Sequence, residues 1–235
     1  MITVSDVSSV SARIAPPSPL SARVPRRRVF LLSPANASGN RARVILGNAA
    51  RTELAKRIRG EGAPLGDIFS FISGLYFRGK LVYSRVYANP PEGVPGVFVI
   101  TAAGGLVSPD RVLTLDELRA ITTGNVCETE PSYRSPLVRN GRALCECLGK
   151  DCDAVLLGSV ATPKYIEPLL SIFGERLLFP AEFVGRGDLS RGGLLLRCAR
   201  EKVELKYVPV AGSVRSGARP PKLPKVKRAK SDSAK

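Results

Sequence analysis

Gly96-Val97-Phe98-Val99-Ile100-Thr101 runs into Ala102-Ala103-Gly104-Gly105-Leu106-Val107 and then Ser108-Pro109-Asp110. The first six residues form a short apolar, β-branched run. It is bounded upstream by the turn-forming Asn89–Pro95 stretch and downstream by two glycines, as expected of a buried strand. Thr114, with Glu117 three residues later, is a capping-box signal for a helix over Leu115–Ile121. Strand, glycine turn and helix therefore follow one another.

The same alternation recurs outward in both directions. Val29–Leu32 is an apolar run ending at Ser33-Pro34, followed by the polar loop Ala35–Asn40 and a helix carrying Val44, Ile45, Leu54 and Ile58. Leu65–Tyr87 reads as helical, broken by a turn around Leu75–Arg78 between Gly74 and Gly79. Residues 122–135 lack a pattern and read as loop. Leu137–Leu148 reads as a helix, Asp153–Leu157 as a strand and Lys164–Phe173 as a helix. Arg176–Phe179 reads as a strand opening into a glycine- and arginine-rich loop that ends at Gly193. Val203–Val208 alternates like an antiparallel edge strand. Repeated strand–helix alternation predicts an α/β fold: a single three-layer domain with a largely parallel central sheet over 28–212. Disordered basic segments at 1–27 and 213–235 would flank it.

Charge supports that division. The chain carries +16, with 36 basic and 20 acidic residues. Residues 1–28 hold five basic and one acidic residue, and 213–235 hold eight and one, so most of the excess lies at the ends. Such ends are either solvated extensions or arms for a polyanion. No apolar run reaches the roughly 18 residues of a membrane span. Five cysteines, an odd number without a signal-peptide pattern, fit reduced thiols and a cytoplasmic setting. Their spacing does not fit a zinc site, and no metal site is expected. There is no histidine, which removes the His-dependent nucleophile systems.

In parallel sheets, ligands gather beyond the carboxyl ends of the strands. The loops concerned are Ser33–Asn40, Thr101–Pro109, Gly158–Lys164 and Pro180–Gly193. Gly104 and Gly105 read either as a tight turn or as amides facing a phosphate. Neither a P-loop nor a dinucleotide fingerprint is present, so no cofactor is expected. Gly158 and Ser159 lead to a helix start where Lys164 and Tyr165 would meet an anion; an unoccupied N-terminus is the other reading. Arg78 and Lys80 lie among aromatics, either on a solvated face or contacting phosphate beside a stacked base. In the last loop, Gly185 and Gly187 would let the backbone approach a ligand, and Arg186 and Arg191 offer forked donors. Asp188 is the first candidate acid and Glu182 the second; a structural ion pair is the alternative for Asp188.

Leu31-Leu32-Ser33-Pro34-Ala35 resembles the strand-end Ser-Pro-Ala motif of the bacterial peroxide-stress DNA-binding protein family. Gly74-Leu75-Tyr76 and Gly105-Leu106-Val107-Ser108-Pro109-Asp110 are similar to motifs of that family and of related uncharacterised phage and bacterial domains. Tyr165, Pro180 and Gly185–Gly187 follow in the same order. The resemblance covers roughly 28–210 and implies a uracil-DNA-glycosylase-like α/β fold. Asn36 stands where the peroxide-stress family has Lys, and the glycosylase histidine has no counterpart. Together these readings imply a nucleic-acid- or nucleotide-binding protein, with chemistry, if any, on a nucleobase or its glycosidic bond. Ser33, Arg78, Lys80 and the strand-end loops would hold the ligand. The alternatives are an enzyme on a free small nucleotide or sugar phosphate, and a noncatalytic interaction module with a basic docking tail.

Overall fold

Val29, Phe30, Leu31 and Leu32 are all inaccessible to solvent, so the strand they form is covered on both faces. This strand, β1 (Arg27–Leu32), is central in a computed structural model that describes residues 26–47 and 52–224. On one side it pairs in parallel with β3 (Val97–Ile100), Phe30 opposite Val97. On the other it pairs in parallel with β6 (Cys152–Leu157), Arg27 opposite Cys152. Beyond β6 lies β7 (Leu177–Pro180), also parallel. Both edges are antiparallel: β4 (Leu106–Val107) on β3, and β8 (Tyr207–Pro209) on β7. The order is β4-β3-β1-β6-β7-β8. A second, two-stranded sheet pairs β2 (Ala63–Pro64) with β5 (Val112–Leu113).

Strand periodicity sorts the core into two halves. Phe30, Leu32, Val99, Val155 and Leu157 face one cluster; Val29, Leu31, Ile100, Ala154 and Leu156 face the other. The first face is covered by α1 (Asn40–Leu46), α2 (Glu53–Arg59), α3 (Leu65–Ser73), α4 (Leu75–Tyr87), α5 (Leu115–Thr122) and α8 (Asp188–Glu201). The second is covered by α6 (Pro131–Leu148) and α7 (Pro163–Phe173). The three-layer α/β sandwich with a mostly parallel sheet is thus present. The expected capping box on α5 forms through Thr114 and Glu117. Among the described residues, no helix is long and apolar enough to cross a membrane.

Several expectations require correction. The single helix expected after Ala35 is two, α1 and α2. The break in Leu65–Tyr87 falls at Gly74 alone, whose φ of +61° ends α3; Gly79 continues inside α4. The patternless 122–135 stretch already contains the start of α6, where Pro131 supplies the fixed φ suited to a first helical turn. The glycine-rich loop ends at Gly187, and Arg191, Gly192 and Gly193 belong to α8. The reason is tertiary: a Cβ on Gly192 would lie 2.8 Å from Tyr76 Cα and 2.9 Å from Leu75 O, and one on Gly79 would lie 2.7 Å from Gly192 O. The two glycines let α4 and α8 meet backbone to backbone.

The edge strand β8 is shorter than its alternation suggested. Tyr83 of α4 fixes this end of the chain: its hydroxyl lies 2.7 Å from that of Tyr207 and accepts the Leu205 N–H at 2.9 Å. Residues 213–224, expected as part of a tail, lie against the domain. Leu223 packs on the core, Arg197 donates to Pro224 O, and Gly185 abuts Ala218 O. The disorder expected for residues 1–25 and 225–235 lies outside the described residues.

Replacing Gly192 with Ala should therefore cost about 1–3 kcal/mol through overpacking against backbone. Urea unfolding of Gly192→Ala beside Gly193→Ala, where a Cβ would meet only Leu223 at 3.8 Å, isolates the effect. Equal stability of the two variants would contradict it.

Candidate functional site

Outgoing connections set the position of the site. The chain leaving β1 turns to the first face of the sheet, whereas that leaving β6 enters α7 on the second. A crevice opens where connections diverge. A cleft of about 660 Å³ lies there, lined by Ser33–Ser38 after β1, Ala102 after β3, Ser159, Lys164 and Tyr165 after β6, and Asp188 after β7. The rest of its wall comes from the end of α1 (Leu46), from α3 and α4 (Phe69, Tyr76) and from the end of α5 and the loop beyond it (Arg119, Thr122, Asn125).

Five of the residues expected at the site therefore converge: Ser33, Ser159, Lys164, Tyr165 and Asp188. Asp188 opens α8, where a carboxylate suits the positive helix end. Its side chain is largely exposed and lies 3.6 Å from Arg191, so the expected ion pair and the cleft position coexist. Lys164 Nζ stands 5.1 Å from the centre of the Tyr165 ring.

Lys80 is not on a solvated face. It is buried behind the wall made by Ser33 and Tyr76, with 1% of its surface exposed. Its Nζ donates to Ser33 Oγ at 2.7 Å and Ser33 O at 2.5 Å, and lies 4.5 Å from the Tyr76 ring centre and 5.0 Å from that of Phe77. Burial pulls its ammonium down from 10.5 to about 7; Asp188 opposes that fall and Arg191 assists it. Tyr76 Oη is buried and makes no hydrogen bond of ordinary geometry among the described residues, although the Arg191 guanidinium lies near it; burial pushes the phenol up to about 12 against the pull of Arg191.

The other expected residues lie elsewhere. Arg191 is buried with its Nε and Nη2 on Phe183 O, so it braces the 3₁₀ turn Ala181–Phe183 beside α8. Arg186 donates to Ser190 Oγ at 3.3 Å. Glu182 accepts from the Lys206 N–H at 3.4 Å, away from the cleft lining. Arg78 is exposed on α4 and does not line the cleft. Gly104 donates to Thr101 Oγ1, and Gly105 (φ +67°) packs against Pro136 O and Asn140 of α6, so this pair makes a tight turn. Gly158 packs on Ser33, Gly185 on the 213–224 segment, and Gly187 precedes α8.

Tyr76, Phe69, Arg119, Thr122 and Asn125 were not foreseen as site residues. Tyr76 had two signals, the Gly74-Leu75-Tyr76 motif and its place among the aromatics around Arg78 and Lys80; the 119–126 stretch carried none. Comparison of the chain with family models, with curated proteins and with solved structures finds no match.

The Lys80 amine has a stability signature. The unfolded lysine keeps its proton up to its ordinary value of 10.5, whereas the folded one releases it near 7. Between about pH 7 and 9 the unfolded chain binds more protons, so stability rises with pH by up to about 1.4 kcal/mol per unit. Cys152, whose thiol burial pushes up to about 11, works in the opposite direction only above its ordinary value of 9. Urea unfolding across pH 7–9 should show this rise in the parent protein and lose it in Lys80→Met. Parallel profiles would contradict the buried-amine assignment.

Proposed function

We propose that the strand-end cleft binds a nucleotide, free or within a nucleic acid, and that the domain is of the uracil-DNA-glycosylase-like kind its short motifs resemble. The observation that carries the reading is the meeting, around one cleft of about 660 Å³, of aromatic residues (Phe69, Tyr76, Tyr165), amides (Asn36, Asn125) and cations (Arg119, Lys164). The volume falls within the range of small-molecule sites. Phe69, Tyr76 and Tyr165 give one aromatic side suited to a base face. Asn36, Thr122 and Asn125 supply amide and hydroxyl groups suited to base edges. Lys164 and Arg119 supply positive charge for phosphate.

Chemistry on the base or its glycosidic bond would fall to Asp188, the carboxylate in the lining. Nonspecific phosphate attraction would come from the basic ends of the chain. Reduced cysteines fit a cytoplasmic setting for such a protein.

Titration calorimetry with nucleoside monophosphates, beside anisotropy with labelled single- and double-stranded DNA and RNA over a salt series, tests this reading. Mononucleotide affinity should fall about 10-fold in Lys164→Ala, the effect of one charge-assisted hydrogen bond of about 1.5 kcal/mol. Absence of nucleotide binding at millimolar concentration, with nucleic-acid binding that vanishes steeply with salt, would assign the polyanion affinity to the chain ends and sink the cleft reading. Asp188→Asn should leave binding within a few-fold and abolish any base release.

A further inference from the structure

We propose that Ser33 and Lys80 form a nucleophile–base pair that cleaves a carboxylic ester or amide bond of a molecule held in the cleft. The proposal goes beyond nucleotide binding: it needs the cleft but not its preference for a base.

The geometry carries it. Ser33 follows β1 directly, and its N–H donates to Leu157 O at 3.1 Å, so the ladder between β1 and β6 fixes its backbone. Its side chain lines the cleft, and Lys80 Nζ lies behind it at 2.7 Å from Oγ, within the reach required of a general base. A neutral amine satisfies both contacts at once: one N–H donates to Ser33 O, and the lone pair accepts the Ser33 O–H. Gly158 leaves the hydroxyl room, since a Cβ there would lie 3.0 Å from Ser33 Cβ and 3.3 Å from Oγ. With no histidine in the chain, an amine of lowered basicity is one base that a serine can use, and Ser–Lys pairs are a known variant of the triad arrangement.

The charged and titratable groups facing Lys80 are Asp188 and Arg191 from α8 and Tyr76 from its own helix. Burial outweighs Asp188, so near neutral pH a large share of the amine is unprotonated. Phosphoryl transfer fits less well. It needs cations close around the transferred group, whereas beside Ser33 Lys80 must be neutral to act and Arg191 is committed to Phe183 O, which leaves only Lys164 and Arg119 of the lining.

The step balances. Ser33 Oγ bonds to the carbonyl carbon, the Oγ proton passes to Lys80 Nζ, and the C=O electron pair moves onto oxygen. Collapse of this tetrahedral oxyanion breaks the bond to the leaving alcohol or amine, which takes the proton back from Nζ. Water, giving a proton to Lys80 Nζ, then adds to the ester carbonyl; collapse breaks the bond to Ser33 Oγ, which takes that proton back from Nζ. The net change is ester plus water to acid plus alcohol, or amide plus water to acid plus amine.

A fluorophosphonate probe, read by peptide mass spectrometry on the full chain, tests the pair. A single adduct on Ser33 is expected, forming faster as pH rises through about 7. Ser33→Ala should abolish it, and Lys80→Met should slow it by about 100-fold, within the range of general-base catalysis. An adduct spread over surface serines, a rate at Ser33 that is flat between pH 6 and 8.5, or a folded Lys80→Met that labels as fast as the parent would overturn the proposal. Should Lys80→Met fail to fold, the site of labelling and its pH profile in the parent protein still decide. Nucleotide titration of the parent reads the cleft separately. Binding without an adduct sinks only the Ser33–Lys80 pair, and an adduct without binding sinks only the nucleotide reading.

Discussion

The close crossing of α4 and α8 is the constraint on which the site depends. Gly79 and Gly192 meet where any side chain would strike backbone. This contact sets the height of α4 over the sheet and brings its next residue, Lys80, onto the end of β1. It also sets Tyr76 beside Arg191 and places Asp188, one turn earlier on α8, at the cleft. Glycine costs helix stability within both elements. The arrangement it permits puts a lysine, a serine, a phenol and a carboxylate within one small volume.

Lys80 illustrates how local and global demands conflict. Burying an ammonium is expensive, and hydrogen bonds to Ser33 and the faces of two aromatic rings compensate only in part. A lowered basicity is how the protein resolves the remainder. A methionine of similar length would pack there without that conflict.

The sheet was legible in the sequence because its central strands are covered on both faces. Val29–Leu32, Val97–Ile100 and Ala154–Leu157 had to be continuous apolar runs, and such runs stand out. The helix α5 was legible because its cap is a local device. α8 was not, because Arg191, Gly192 and Gly193 have the composition of a loop, and their helical state follows from packing on α4. The strand-end position of the cleft was legible from fold class, and Ser33, Ser159, Lys164, Tyr165 and Asp188, grouped from the chemistry of their loops, all line it. The burial of Lys80 was not, since Arg78-Gly79-Lys80 reads as an exposed basic turn until β1 lies beneath it. The 119–126 wall reached the cleft through the packing of α5, which leaves no mark in those residues.

The position of Lys80 just behind the cleft wall couples what enters the cleft to the solution's proton activity. A negative charge brought against Ser33 and Tyr76 favours the ammonium over the amine, so an anion would enter together with a fraction of a proton. A cationic occupant would expel one. The cleft would thus distinguish ligands by their charge through proton exchange, even where no cation of the protein touches them.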